Sequence, residues 1–238
     1  MKTFAAISIP IPLLIMTASC ITPQYEPVPP GIYEIELDPS HRYTLSIPED
    51  YSGEKPVPLV VALHYGGHGT PFYGKSILTD MVEPALRELG AVIISPDCPS
   101  SDWTQPESEV FVIEILDTIQ AKHNIDSDKV LVTGYSLGGM GTWHFAASQP
   151  DRFSAGVVMA GMPPGNALEI EWAVPLYVIH GRDDEVLPID PTLSAVAQLQ
   201  SQGVDIKLKI LEGVTHYETY LFVEQLKDTI PWITDSWK

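Results

Sequence analysis

Residues 129–141 read Lys129-Val130-Leu131-Val132-Thr133-Gly134-Tyr135-Ser136-Leu137-Gly138-Gly139-Met140-Gly141. An apolar, β-branched run leads into Gly-x-Ser-x-Gly, and a helix-compatible stretch follows it. A serine between two glycines at such a junction can sit on a sharp strand-to-helix turn, with its hydroxyl above the end of a sheet. The helix that begins at Leu137 then directs free N–H groups and its positive end toward that hydroxyl. Ser136 is therefore the candidate nucleophile, and the backbone N–H of Leu137 the first candidate donor to an oxyanion. A Gly-rich turn that merely closes a crossover is the plain alternative.

The flanking pattern agrees with a parallel sheet. Short apolar runs without alternation recur at 57–63, 91–95, 129–133, 155–159, 175–179 and 205–211, as expected of strands buried on both faces. Helical stretches are expected within 77–89, over about 107–123, at 137–148, at 192–202 and within 217–230. Ahead of them, 32–37 and 42–47 flank the turn-rich Asp38-Pro39-Ser40-His41 and read as an antiparallel hairpin. The fold class is α/β, mostly parallel, with helices on both faces. Residues 32–238 read as one domain, and the short connection between 159 and 175 leaves no room for a cap, so the site is expected to be an open cleft.

Several further stretches carry a family likeness. They are Leu63-His64-Tyr65-Gly66-Gly67, Ser95-Pro96-Asp97-Cys98-Pro99 with Trp103, Gly134 to Trp143, and Glu212-Gly213-Val214-Thr215-His216. With them the chain resembles the α/β-hydrolase superfamily over nearly everything after residue 40. In particular it is similar to small capless serine esterases, the phospholipase/carboxylesterase, prolyl-oligopeptidase-like and dienelactone-hydrolase-like groups. Dienelactone hydrolases proper carry a cysteine in the elbow, where this chain has Ser136. Prolyl oligopeptidases carry a propeller, which has no counterpart here.

The resemblance implies the chain order serine, acid, histidine. Of the seven histidines, only His216 lies beyond the 175–179 strand and the acidic loop after it. That loop, His180-Gly181-Arg182-Asp183-Asp184-Glu185-Val186-Leu187-Pro188, matches the His-Gly-x-x-Asp-x-x-x-Pro register of many α/β-hydrolases and selects Asp184 as the acid. Asp183 is the alternative; otherwise it is expected to pair with Arg182 or cap the turn. His216 would take the proton of Ser136, so activity should fall as the pH drops through the histidine range. The second oxyanion donor is expected from the N–H of Tyr65 or Gly66, with the Tyr65 ring lining the acyl pocket. Trp103 and Trp143 are candidate substrate contacts at the cleft border, with core packing the alternative.

The function implied is a serine carboxylesterase of short to medium acyl or aromatic-acid esters, on a small-molecule or carbohydrate-linked alcohol, with no cofactor and no metal. A phospholipase or thioesterase, or a non-catalytic lipoprotein on a hydrolase fold, are the competing readings. With 13 Lys+Arg against 31 Asp+Glu, the formal net charge of −18 speaks against nucleic acid as a partner. The two cysteines are too few for a disulfide scaffold. Residues 1–19 read as a signal peptide, and Thr17-Ala18-Ser19-Cys20 resembles the lipobox of bacterial lipoproteins, with Cys20 the lipidated residue. The proline-rich stretch 20–31 is then a stiff spacer, and the protein is expected to be exported, either held at a membrane by that lipid or free outside the cytoplasm.

Overall fold

The computed structural model describes residue 25 and residues 28–67 and 69–238. The leader reading over 1–19 and the lipidation of Cys20 lie outside these residues. Among the described residues, eight strands form one sheet in the order β1-β2-β4-β3-β5-β6-β7-β8. They are β1 (Gly31–Asp38), β2 (His41–Ile47), β3 (Val57–Leu63), β4 (Val92–Pro96), β5 (Ile125–Tyr135), β6 (Ala155–Met159), β7 (Leu176–Gly181) and β8 (Ile206–Leu211). The β1–β2 hairpin is antiparallel and joins the sheet antiparallel to β4; every other pairing is parallel.

The apolar runs form central strands because both of their faces are covered. Along β3, Leu59, Val61 and Leu63 enter one core, whereas Val60 and Ala62 enter the other. The same alternation sends Val130 and Val132 of β5 to the first core, and Leu131 and Tyr135 to the second. Helices α3 (Pro106–Lys122), α4 (Leu137–Ser148) and α5 (Asp190–Ser201) cover the first face. Phe111, Trp143 and Leu199 are the side chains they bury there. The second face is covered by α1 (Lys75–Ile77), α2 (Glu83–Leu86), α6 (Tyr220–Lys227) and α7 (Ile230–Ser236).

Three expectations need correction. The run 205–211 is not buried on both faces: β8 is an edge strand bonded only to β7, and its Lys207 and Lys209 face solvent. The helix expected within 77–89 is broken into α1, a π turn at Leu78–Val82, α2 and a 3-10 turn at Arg87–Leu89. Pro84 lies in the first turn of α2, where its missing N–H interrupts an i→i−4 ladder. The helix expected within 217–230 is there as α6, but it is not the last: α7 follows with Pro231 in its first turn and buries Trp232 and Ile233. Between β6 and β7 the chain forms only one short 3-10 turn, Ala167–Glu169.

Candidate active site

Ser136 has φ 55° and ψ −114°, a conformation that costs an L-residue on the order of 1–3 kcal/mol. The turn can close because its neighbours lack side chains. A Cβ on Gly134 would run into the carbonyl of Gly138, and one on Gly138 into the carbonyl of Leu63. The Ser136 N–H donates to the Met159 carbonyl at 2.9 Å, which anchors the turn to the end of β6. Leu137, first residue of α4, has an N–H with no intrahelical acceptor.

Sheet order brings the predicted acid and base to this turn. The Ser136 hydroxyl lies 2.9 Å from His216 Nε2, and His216 Nδ1 lies 2.7 Å from Asp184 Oδ2. Asp184 and His216 are both buried, at 6% exposure. The other carboxylate oxygen of Asp184 accepts from the N–H groups of Val186 (3.0 Å) and Leu187 (2.7 Å). Two backbone donors and one imidazole N–H thus hold this carboxylate, and the imidazole is left with its Nε2 lone pair toward Ser136. Asp183 stays exposed, Arg182 pairs with Glu212 rather than with Asp183, and the turn is capped by Asp184 itself.

The His216 peptide is pinned from both sides. Its N–H donates to Glu185 Oε2 (3.0 Å), and its carbonyl accepts from the Tyr135 hydroxyl (2.5 Å). Burial, reinforced by the charges of Asp184 and Glu185, pushes the Tyr135 phenol well above its usual range, so it remains a donor. His180, fully buried, donates through Nε2 to the Leu187 carbonyl at 2.8 Å, with Asp184 Oδ2 at 3.3 Å. Burial pushes His180 below its ordinary value despite that carboxylate, so it stays neutral.

The candidate oxyanion donors Tyr65 and Gly66 lie on the loop after β3. Gly66 packs against Leu137, with its Cβ position 3.8 Å from Leu137 Cβ, so the two predicted donor residues are neighbours. His64 braces the loop: its Nε2 accepts from the Cys98 N–H (2.9 Å), which leaves Nδ1 to donate to the Tyr65 carbonyl (2.7 Å). The Tyr65 ring turns toward α1, where its hydroxyl donates to Ser76 (3.0 Å). Tyr73, and not Tyr65, contributes its ring to the adjoining cleft.

Trp103 and Trp143 do not border the cleft, since both are fully buried. Their indole N–H groups explain their placement. Trp103 donates to the His64 carbonyl (2.9 Å) and Trp143 to the Gly161 carbonyl (3.2 Å), so the first ties down the loop after β3 and the second the helix after the turn. Cys98 is a free thiol at 3.3 Å from Ser108 Oγ, and burial pushes its pKa up.

Sequence reasoning gave no role to Tyr135, His64 or Glu185. Tyr135 occupies an unconstrained position of Gly-x-Ser-x-Gly, and its partner is 81 positions away. His180 was legible only as the first letter of the acid's register.

A family model, the dienelactone hydrolase family, matches residues 102–220. The chain is 27% identical over 160 residues to "Feruloyl esterase C" of Emericella nidulans, covering 62% of this chain and 56% of that protein. It spans at most 60% of the length of the first curated relatives it matches. Among solved structures, a thermostable esterase superposes with a TM-score of 0.72 at 24% identity, over 86% of this chain and 62% of that one. A ferulic acid esterase does so with 0.70 at 18%, over 87% and 97%. At these identities the two structures speak for the fold.

Proposed function

Since the chain belongs to the dienelactone hydrolase family, we propose that it is a serine hydrolase cleaving carboxylic esters of short, medium or aromatic acids through an acyl-enzyme on Ser136. The observation that carries this is the continuous hydrogen-bonded line Ser136 Oγ, His216, Asp184, at 2.9 and 2.7 Å, set on a strained turn at the start of a helix. In the first half of the cycle His216 Nε2 takes the Ser136 proton as Oγ attacks the ester carbonyl. Asp184 stabilises the imidazolium, and the N–H of Leu137 with that of Gly66 or Tyr65 receives the oxyanion. His216 then returns the proton to the departing alcohol. Water, deprotonated by the same imidazole, frees the acid and restores Ser136.

The name of the Emericella relative supports aromatic acids as substrates, and the open connection between β6 and β7 suits a bulky alcohol such as a sugar. An exported or lipid-held enzyme, as the leader suggests, would meet such substrates outside the cytoplasm. The test is a panel of aryl esters of rising acyl length beside methyl ferulate, an acetylated sugar and a phospholipid. Hydrolysis is expected to fall steeply beyond short aliphatic chains, to persist on ferulate, and to vanish in Ser136→Ala. Undiminished turnover by Ser136→Ala would refute the assignment.

A further inference from the structure

A cleft of about 340 Å³ opens beside the elbow, and its lining runs from Leu137 and Gly66 past Tyr73 and Ser100 to Arg42. The sheet order explains this course. From β5 the cleft crosses the carboxyl ends of β3 and β4 and reaches β2, whose first residues lie at the same edge because β2 is antiparallel to β4, with Tyr43 opposite Pro96. Arg42 therefore stands three strand spacings from the strand that carries Ser136, about 14 Å at ~4.8 Å per step. A guanidinium lining this cleft would meet a group several bonds away from an ester carbonyl held at Ser136.

The charges in this cleft are unequally engaged. Asp97 is spent on the backbone: one oxygen accepts from Phe72 N–H (2.7 Å) and the other from Gly74 N–H (2.9 Å). His64 has both ring nitrogens bonded, and burial pushes it toward the neutral form. Arg42 is the one cation among the described lining residues, and it donates to Glu36 through Nε alone (2.7 Å). Its side chain is 17% exposed against 50% for Glu36, so the carboxylate holds the guanidinium from the solvent side. Of the five N–H donors of an arginine, those on the two terminal nitrogens meet no acceptor among the described residues and form a planar fork. The net charge of −18 repels anions at long range, but such fields are screened beyond about 8 Å in physiological salt, whereas the Arg42 fork acts at contact.

The chemistry decides which half of an ester lies here. His216 must hand its proton to the alcohol, and it reaches Ser136 from the β7–β8 side of β5, where it meets Asp184. The alcohol thus leaves on that side, and the acyl group extends the other way, over β3 and β4. We infer that this cleft is the acyl subsite, and that Arg42 binds an oxygen acceptor, phenol or carboxylate, at the end of the acyl group remote from the ester. The inference rests on the esterase assignment above and adds the acid it selects.

The test uses the full chain and three methyl esters, of cinnamic, 4-hydroxycinnamic and 4-carboxycinnamic acid. Turnover of plain cinnamate by the wild type, abolished in Ser136→Ala, establishes the esterase assignment independently; its absence would overturn both statements. In Arg42→Met, kcat/KM for the 4-hydroxy and 4-carboxy esters is expected to fall about tenfold, carried by KM, as for loss of a charge-assisted hydrogen bond. Plain cinnamate should change by less than about twofold, and so reports that the variant is folded. Arg42→Lys, which keeps the charge without the fork, should recover part of the 4-carboxy rate. An equal loss on all three esters, or no loss on any, would overturn the role of Arg42.

Discussion

The hydroxyl of Tyr135 donates to the backbone carbonyl of His216 at 2.5 Å, so the residue just before the candidate nucleophile holds the peptide of its candidate base. The bond joins β5 to the loop after β8, and the Tyr135 ring also packs edge-on against Phe222 of α6. The candidate nucleophile and the candidate base thereby share one rigid support.

Replacing Tyr135 by Phe keeps the ring packing and leaves the His216 carbonyl without this donor. The expected results are a stability loss of about 1–3 kcal/mol, read by denaturant unfolding, and a several-fold drop in kcat with KM nearly unchanged. A change confined to KM would mean that Tyr135 touches substrate instead.

Asp184 and Asp183 are adjacent, yet only Asp184 faces His216. Asp184→Asn should lower kcat on the order of 10³–10⁴-fold, because the amide presents the wrong partner to Nδ1. Asp183→Asn should remain within about twofold of wild type, as is usual for an exposed position without such contacts. Steady-state kinetics on one soluble aryl ester decide between them.

Trp103 supports the loop that carries the candidate oxyanion donors through its bond to the His64 carbonyl. Trp103→Phe should therefore destabilise the fold by about 1–3 kcal/mol through the orphaned carbonyl and the smaller ring. It should also reduce kcat for short and long acyl esters alike. A loss that grew with the size of the acyl group would restore Trp103 as a substrate contact.

Burial pushes His64, His123 and His180 below their ordinary value of 6.5. The unfolded chain then binds these protons more readily than the folded one. The stability due to their neutral forms is complete above about pH 6.5 and is lost as the pH falls from there through the folded values. Thermal unfolding followed from pH 8 to 5 should show this decline, and His123→Gln, remote from Ser136, should make the curve shallower. A curve that is flat over this range in the wild type would contradict the assignment.

Much of this protein was legible in its sequence for a local reason. Strand runs covered on both faces and the Gly-x-Ser-x-Gly turn are written in short stretches, because strand burial and turn closure depend on neighbouring residues. Asp184 and His216 are candidates through the chain order that the resemblance implies, and the fold brings both to Ser136. The limits of local reading are equally particular. Lys207 and Lys209 marked β8 as an edge only once its one-sided pairing was known.

What tertiary structure alone decided is the division of labour among residues that look alike in sequence. Trp103 and Tyr73 are both aromatic residues in the loops between strands and helices, yet one is fully buried and the other lines a cleft. Tyr65 and Tyr135 flank glycines in similar turns, but one bonds a helix serine and the other the peptide of His216. Arg42, in a hairpin far from every motif, arrives at the cleft beside Leu137 because β2 folds back antiparallel onto β4. Those assignments depend on contacts between residues tens of positions apart, and only the closed sheet, packed on both faces, brings such residues together.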